Sequence, residues 1–273
     1  MTETLYSPRP ELRRPRLFLA GALYDLRCSG PIAWRLFRSN LRVRYRRSWL
    51  GYVWLLLPAL GTAAICAFMQ ARRIVAVAPT ELPYPIFVLA GMILWQLFVE
   101  AVNAPLQQLN AGRQMITRSR VPHEALIGAG LLEIGLNFVI RLGVLAAVLA
   151  LFGVAVAPSA LLFPAGGLAI VLLGLAIGLL LTPAGMLYDD VSRGITLFTT
   201  FGLFLTPILY PLPASGPLRL NPVTPLLDTS RNWLLHGGVS ASFIAVALLG
   251  LIALAFAWLV YRLSRPHLVA RLG

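Results

Sequence analysis

Six runs of apolar residues dominate this chain, each close to the roughly 20 residues needed to cross the hydrocarbon core of a bilayer. They cover residues 50–70, 84–103, a stretch within 125–156, 161–187, 194–210 and 241–263. Charged side chains make up 12% of the 273 residues, against about 25% in a soluble domain. Too few polar residues remain to cover such runs in water, so the chain reads as an all-α integral membrane protein. Helices suit that setting because they satisfy their own backbone groups in lipid. The third run is too long to lie wholly in hydrocarbon at about 1.5 Å per residue. Its first turns, up to about Glu133, are expected at the interface or in a tilted, kinked approach.

Arginine placement predicts the orientation. With the N-terminus inside, the outer segments hold only Arg72, Arg73, Arg219 and Arg231, while the inner ones hold the dense N-terminal set and most of the rest. That asymmetry predicts both ends on the inner side of six transmembrane helices. The expected organisation is a cytoplasmic N-terminal segment over 1–48, a six-span domain over 49–263 and a tail over 264–273. The last outer segment carries Pro211, Pro213, Pro217, Pro222 and Pro225, followed by Trp233 and Leu234. It is too apolar for a solvated loop and too broken for a span. It reads as short re-entrant helices between spans five and six.

Within the N-terminal segment, residues 31–48 read as an interfacial amphipathic helix with Pro31 in its first turn. Arg35, Arg38, Arg42 and Arg46 recur at spacings of three and four and form one stripe, with Arg47 beside it. Trp34, Phe37, Leu41 and Tyr45 form the adjacent stripe. Such a helix lies on a membrane surface. Its arginines serve either as snorkelling anchors or as a forked, bidentate receptor for an anionic headgroup. The basic inner loop with Arg113, Arg118, Arg120, His123 and Glu124 reads either as a positive-inside loop or as a helix docking on a cytoplasmic partner. Arg141 lies within the third run and requires a partner, for which Glu133 and Glu100 are the candidates. Asp189 and Asp190 beside Arg193 fit the start of a helix near Gly194 better than a metal site.

The basic side chains apart from histidine are all arginine, and the chain has no lysine. A phosphate-binding P-loop needs its lysine, so nucleotide hydrolysis by that route must belong to another chain. The net charge of +13 sits outside the apolar runs and points to lipid headgroups rather than nucleic acid. Cys28 and Cys66 are not expected to pair. His123, His236 and His267 lack metal-ligand spacing, so no metal site and no catalytic constellation are predicted. A short cleavable secretory signal is not expected either.

Four ordered segments resemble the permease subunit of polysaccharide-exporting ABC transporters, the O-antigen, teichoic acid and capsule exporters. They are RVRYRRSWLGYVWLLLP at 42–58, LAGMILWQLF at 89–98, TPILYP at 206–211 and NPVTPLLDTSR at 221–231. The resemblance implies a homodimer, two copies of a separate ABC ATPase that binds ATP and Mg, and no cofactor in this chain. It implies a glycan carried on an undecaprenyl-type lipid diphosphate, in the bacterial inner membrane. It suggests that residues 113–124 couple to the ATPase, that 213–238 form outer gate helices and that the arginine helix meets the lipid headgroup. Trp34, Tyr45, Trp95 and Trp233 are then candidate stacking faces for sugar rings, or else belt and packing residues. The chain departs from the family where Asp189-Asp190 replaces the usual arginine before aspartate. The competing readings are an ABC permease for a small lipid or drug and a polyprenyl-phosphate membrane enzyme using Asp189 and Asp190. A channel or secondary transporter usually shows internal repeats or several buried ionisable groups, and this chain shows neither clearly.

Overall fold

The structure, a computed structural model, describes residues 15–46, 53–72, 80–118, 121–212 and 216–272. Every extended element among them is helical: α1 (Pro15–Arg46), α2 (Val53–Ala71), α3 (Tyr84–Ala111), α4 (Arg113–Arg118), α5 (His123–Leu151), α6 (Phe163–Gly185), α7 (Asp189–Gly202), α8 (Val223–Asn232) and α9 (Ala241–Leu272). Single 3-10 turns at Pro158–Leu162 and Pro217–Leu220 precede α6 and α8.

Among the described residues, five helices are long and apolar enough to cross a membrane: α2, α3, α5, the unit Pro158–Gly185 containing α6, and α9. They account for predicted runs one to four and six. The run expected over 194–210 differs. Its helix, α7, is 14 residues long, about 21 Å at the usual rise and short of the roughly 30 Å core. The threonines help explain its early end. Thr196, Thr199 and Thr200 return their hydroxyls to carbonyls one turn back, a bond that slightly destabilises and often bends helices. Pro207 and Pro211 then oppose resumption of the helix.

The centre of the fold is α3, packed against α2, α5, α6 and α8. Its spanning window is 72% buried by the chain's own helices, against 11% for α2 and for α9. The close approach of α6 to α3 depends on small residues. Gly174 and Gly178 form a GxxxG pair, and a Cβ at Gly174 would lie 2.9 Å from the Ala101 side chain and 3.0 Å from the Phe98 carbonyl. In lipid, such backbone approach supplies the van der Waals contact that apolar burial alone cannot.

α1 begins well before the expected position 31, and Pro31 lies inside it. Packing against α5 decides this: Ala33 and Phe37 are buried, and Ala33 faces Gly128. The buried stripe therefore runs through Ser29, Ala33 and Phe37, leaving Trp34 at 44% exposed.

Candidate functional site

The functional candidates fall at three levels along the helices. At one end, Arg35, Arg38 and Arg42 are all exposed on α1, with the Arg38 guanidinium 4.9 Å from the centre of the Trp34 ring. This face can receive an anion, because each fork presents planar donors. Arg46 ends α1, but its side chain, the Tyr45 side chain and all of Arg47 lie outside the described residues. The short α4 follows α3 after Gly112, where a Cβ would lie 2.7 Å from Leu126. Arg113, Gln114 and Met115 are exposed there, while the Arg118 side chain and Arg120 lie outside the described residues.

His123 and Glu124 do not share that exposed face. They are 8% and 6% exposed and turn toward α9, where His123 meets the Tyr261 hydroxyl at 2.6 Å. Glu124 pairs with Arg262 at 3.2 Å and with Arg265. The first turn of α5 therefore packs inward, and docking candidates on the described surface reduce to α4 itself.

At mid-depth, Arg141 is 3% exposed and pairs with Glu100 of α3. Asn137, one turn before Arg141, also donates to Glu100, at 3.3 Å. Glu133 is not the partner: eight residues along the same helix separate it from Arg141 by about 12 Å, whereas α3 brings Glu100 alongside. The pair fixes the relative depth of α3 and α5, since a buried charge deprived of its partner costs about 3–5 kcal/mol.

At the far end, three of the four family-like segments converge on one arginine. Arg231, 5% exposed at the end of α8, donates from Nη1 to the Pro207 carbonyl at 2.6 Å and from Nη2 to the Ile208 carbonyl at 2.8 Å. Its guanidinium lies 3.7 Å from the centre of the Phe87 ring. A Cβ on Gly91 would overlap it, so the glycine of LAGM is the seat for the arginine of NPVTPLLDTSR, which holds the TPILYP turn. A guanidinium keeps its proton even when buried, so the fork holding these carbonyls carries a charge. Asn221 closes the same turn, donating to the Leu205 carbonyl and to Thr206 at 3.2 and 2.9 Å. Tyr84 donates to the Leu209 carbonyl at 2.9 Å. Every one of these acceptors lies in the non-helical segment after α7, whose carbonyls have no intrahelical donors.

Trp95 and Trp233 are buried within the chain, at 4% and 2% exposed. Trp95 packs against Phe98 and beneath Gly202 of α7. Trp233 meets Phe243 edge-on and donates Nε1 to the Gly238 carbonyl. In this conformation neither offers a face to a sugar ring; both seat helices. Of the four aromatic candidates, only Trp34 has a side chain described as exposed. Asp189 and Asp190 lie in the first turn of α7, with Arg193 3.4 Å from Asp190 and both side chains largely exposed. No side chain caps that helix, so the acids act on the helix dipole. Among the described residues, no three His, Cys, Asp or Glu side chains gather as a metal site would require.

Arg231's partners leave no direct sign in the sequence, because backbone carbonyls have no residue signature. Only the repeated prolines flanking residues 207–211 mark carbonyls in need of donors.

Comparison with known proteins agrees with this geometry. The chain is similar to the O-antigen export system permease protein RfbA of Klebsiella pneumoniae, at 23% identity over 215 residues, covering 76% of this chain and 82% of that protein. It is similar to the protein of the same name from Myxococcus xanthus, at 25% identity over 202 residues, covering 71% of this chain and 76% of that protein. Residues 33–235, from the buried face of α1 through the Arg231 turn, match the ABC-2 type transporter family. With residues 33–235 matched and three of its four family-like segments meeting at one structural point, the chain belongs to the ABC-2 type transporter family.

Proposed function

We propose that this chain is the permease subunit of an ABC exporter that moves O-antigen polysaccharide across a bacterial inner membrane. The observation that carries the proposal is the alignment with O-antigen export permeases over about three quarters of both chains. ATP hydrolysis belongs to a separate subunit, in keeping with the absence of lysine and hence of a P-loop lysine here. The working unit is a homodimer of this chain with two ATPase copies, and the glycan travels attached to a lipid diphosphate. Both termini lie on the cytoplasmic side. α7 together with residues 203–210 makes the sixth crossing in two pieces, and α8 is re-entrant from the outer side. The packing of α8 against α3, α6 and α9 supports that placement, because irregular backbone at membrane depth must be covered by protein.

Each region then has a task. Exposed α4 docks on the ATPase. Arg35, Arg38 and Arg42 on α1 receive the lipid diphosphate, since guanidinium forks match phosphate oxygens. The Arg231 turn holds the outer segment closed between transport cycles.

The test is deletion of the chain in its own host. The expected result is loss of the long-chain surface glycan ladder on gels, with lipid-linked glycan accumulating in the inner membrane. Purification of the complemented tagged chain is expected to bring down a P-loop ATPase in equal amount. An unchanged ladder, or a defect confined to small lipids or drug efflux, would sink the polysaccharide reading.

A further inference from the structure

At the start of α5, α1 and α9 are joined to it by charge as well as by apolar packing. Arg262 of α9 donates to Glu124 of α5 at 3.2 Å and to Asp25 of α1 at 2.7 Å. Arg265 adds a second cation on Glu124 and stands 5.5 Å from the centre of the Tyr261 ring, whose hydroxyl meets His123. Two carboxylates thus face two guanidiniums, and one arginine bridges two helices that are far apart in sequence. The side chains of Glu124, Arg262 and Arg265 are 4%, 10% and 16% exposed, while Asp25 is 38% exposed. Charge-assisted bonds in such surroundings are short and directional. The helix faces around them can slide by small shear steps.

The position of the cluster matters more than its strength. Glu124 lies in the first turn of α5, a few residues beyond α4. Gly112, at the start of α4, is wedged on Leu126 of the same turn. The residue that joins α3 to α4 thus touches the turn that holds Glu124. Asp25 lies at the other end of the chain of bonds, on the helix that carries exposed Arg35, Arg38 and Arg42.

We propose that Glu124, Arg262 and Asp25 form a relay of positioning residues, passing movement of the α4 loop to α1 and its exposed arginine face. The relay rests on the reading of α4 as the ATPase-facing helix. Its function is to set the angle of α1 when the ATPase closes, so that hydrolysis and presentation of the anionic headgroup occur in step. It is distinct from the headgroup site, since none of its three members lies on the exposed arginine stripe.

The experiment uses the full exporter reconstituted in vesicles of bacterial lipid, scoring glycan translocated per ATP hydrolysed. Asp25→Asn leaves the Glu124–Arg262 bond in place and removes the charge from the arm to α1. It is expected to lower translocation per ATP severalfold while the ATPase co-purifies at the wild-type ratio. Glu124→Gln is expected to lower it further. Wild-type translocation per ATP in both single variants would overturn the relay. If Glu124→Gln fails to accumulate, Asp25→Asn decides alone. The docking reading is checked separately by Met115→Cys in a Cys28→Ser, Cys66→Ser background, which is expected to cross-link to the ATPase. Without that cross-link, docking and relay both fall; with it, unchanged coupling removes the relay only.

Discussion

The two ends of this molecule use arginine in opposite ways. At the Arg231 end, a single buried guanidinium holds backbone carbonyls of Pro207 and Ile208 and stacks on Phe87. At the Arg262 end, two guanidiniums share carboxylates from two other helices. A fork bonded to two successive carbonyls specifies one backbone shape and tolerates little else. A guanidinium–carboxylate cluster with duplicate members keeps bonding as its helices shift. The first arrangement suits a segment that must hold an irregular turn, and the second suits a junction that moves.

Replacement of Arg231 breaks the comparison most sharply. Arg231→Met leaves two buried carbonyls without donors, and each orphan acceptor costs about 1–3 kcal/mol. The expected outcome is a drop in thermal unfolding midpoint of the detergent-solubilised chain and loss of surface glycan. Arg231→Lys should rescue little, because one ammonium cannot reproduce a stacked fork. Gly91→Ala comes next. Its methyl overlaps the guanidinium, and overpacking of this kind costs about 1–3 kcal/mol. Full thermal stability in Gly91→Ala would mean that the seat is looser than the geometry requires.

Arg262→Gln is expected to have a smaller effect on stability, since Arg265 still neutralises Glu124. Its mark should instead be uncoupled ATP hydrolysis in reconstituted exporter. A stability loss as large as that of Arg231→Met would erase the distinction between the two ends. Smallest of all is the pair between Glu81 and His236, at 3.1 Å with side chains 72% and 60% exposed. Solvent screening holds such pairs to below about 1 kcal/mol, so Glu81→Gln should leave the unfolding midpoint and export unchanged within error.

Much of this fold was legible before any coordinates. The bounds of α2 and α6 and the start of α9 follow from apolar run length, whereas α9 continues to Leu272, through residues expected as a tail after 263; the Pro-rich segment before α9 is broken as its prolines require. The fifth run misled because hydropathy counts Leu197, Phe198, Phe201 and Leu205 but does not see threonines bonding backward along the helix. The start of α1 differs from the expected residue 31 because Pro31 weighs heavily in an isolated helix, whereas Ala33 and Phe37 packed on α5 outweigh it here. The demand of Arg141 for a partner was visible, and helix rise alone favours a neighbouring helix over Glu133. Trp95, Trp233, His123 and Glu124 were not placeable, because which face of a helix turns inward depends on its neighbours. Arg231 sat inside a family-like segment, yet its partners are main-chain atoms and leave no trace in side-chain spacing.

The enclosure of α3 also constrains how a long chain of sugars could travel. A helix whose spanning window is 72% covered by its own chain is an axle, with no free wall of its own to offer a passenger. The bare walls are those of α2 and α9, each only 11% covered. A polymer moving past this fold would run along its flank, and a flank becomes a conduit only when a second wall faces it. In the proposed homodimer the single chain would supply half of a seam, and the width of the passage would be set by how the two halves part.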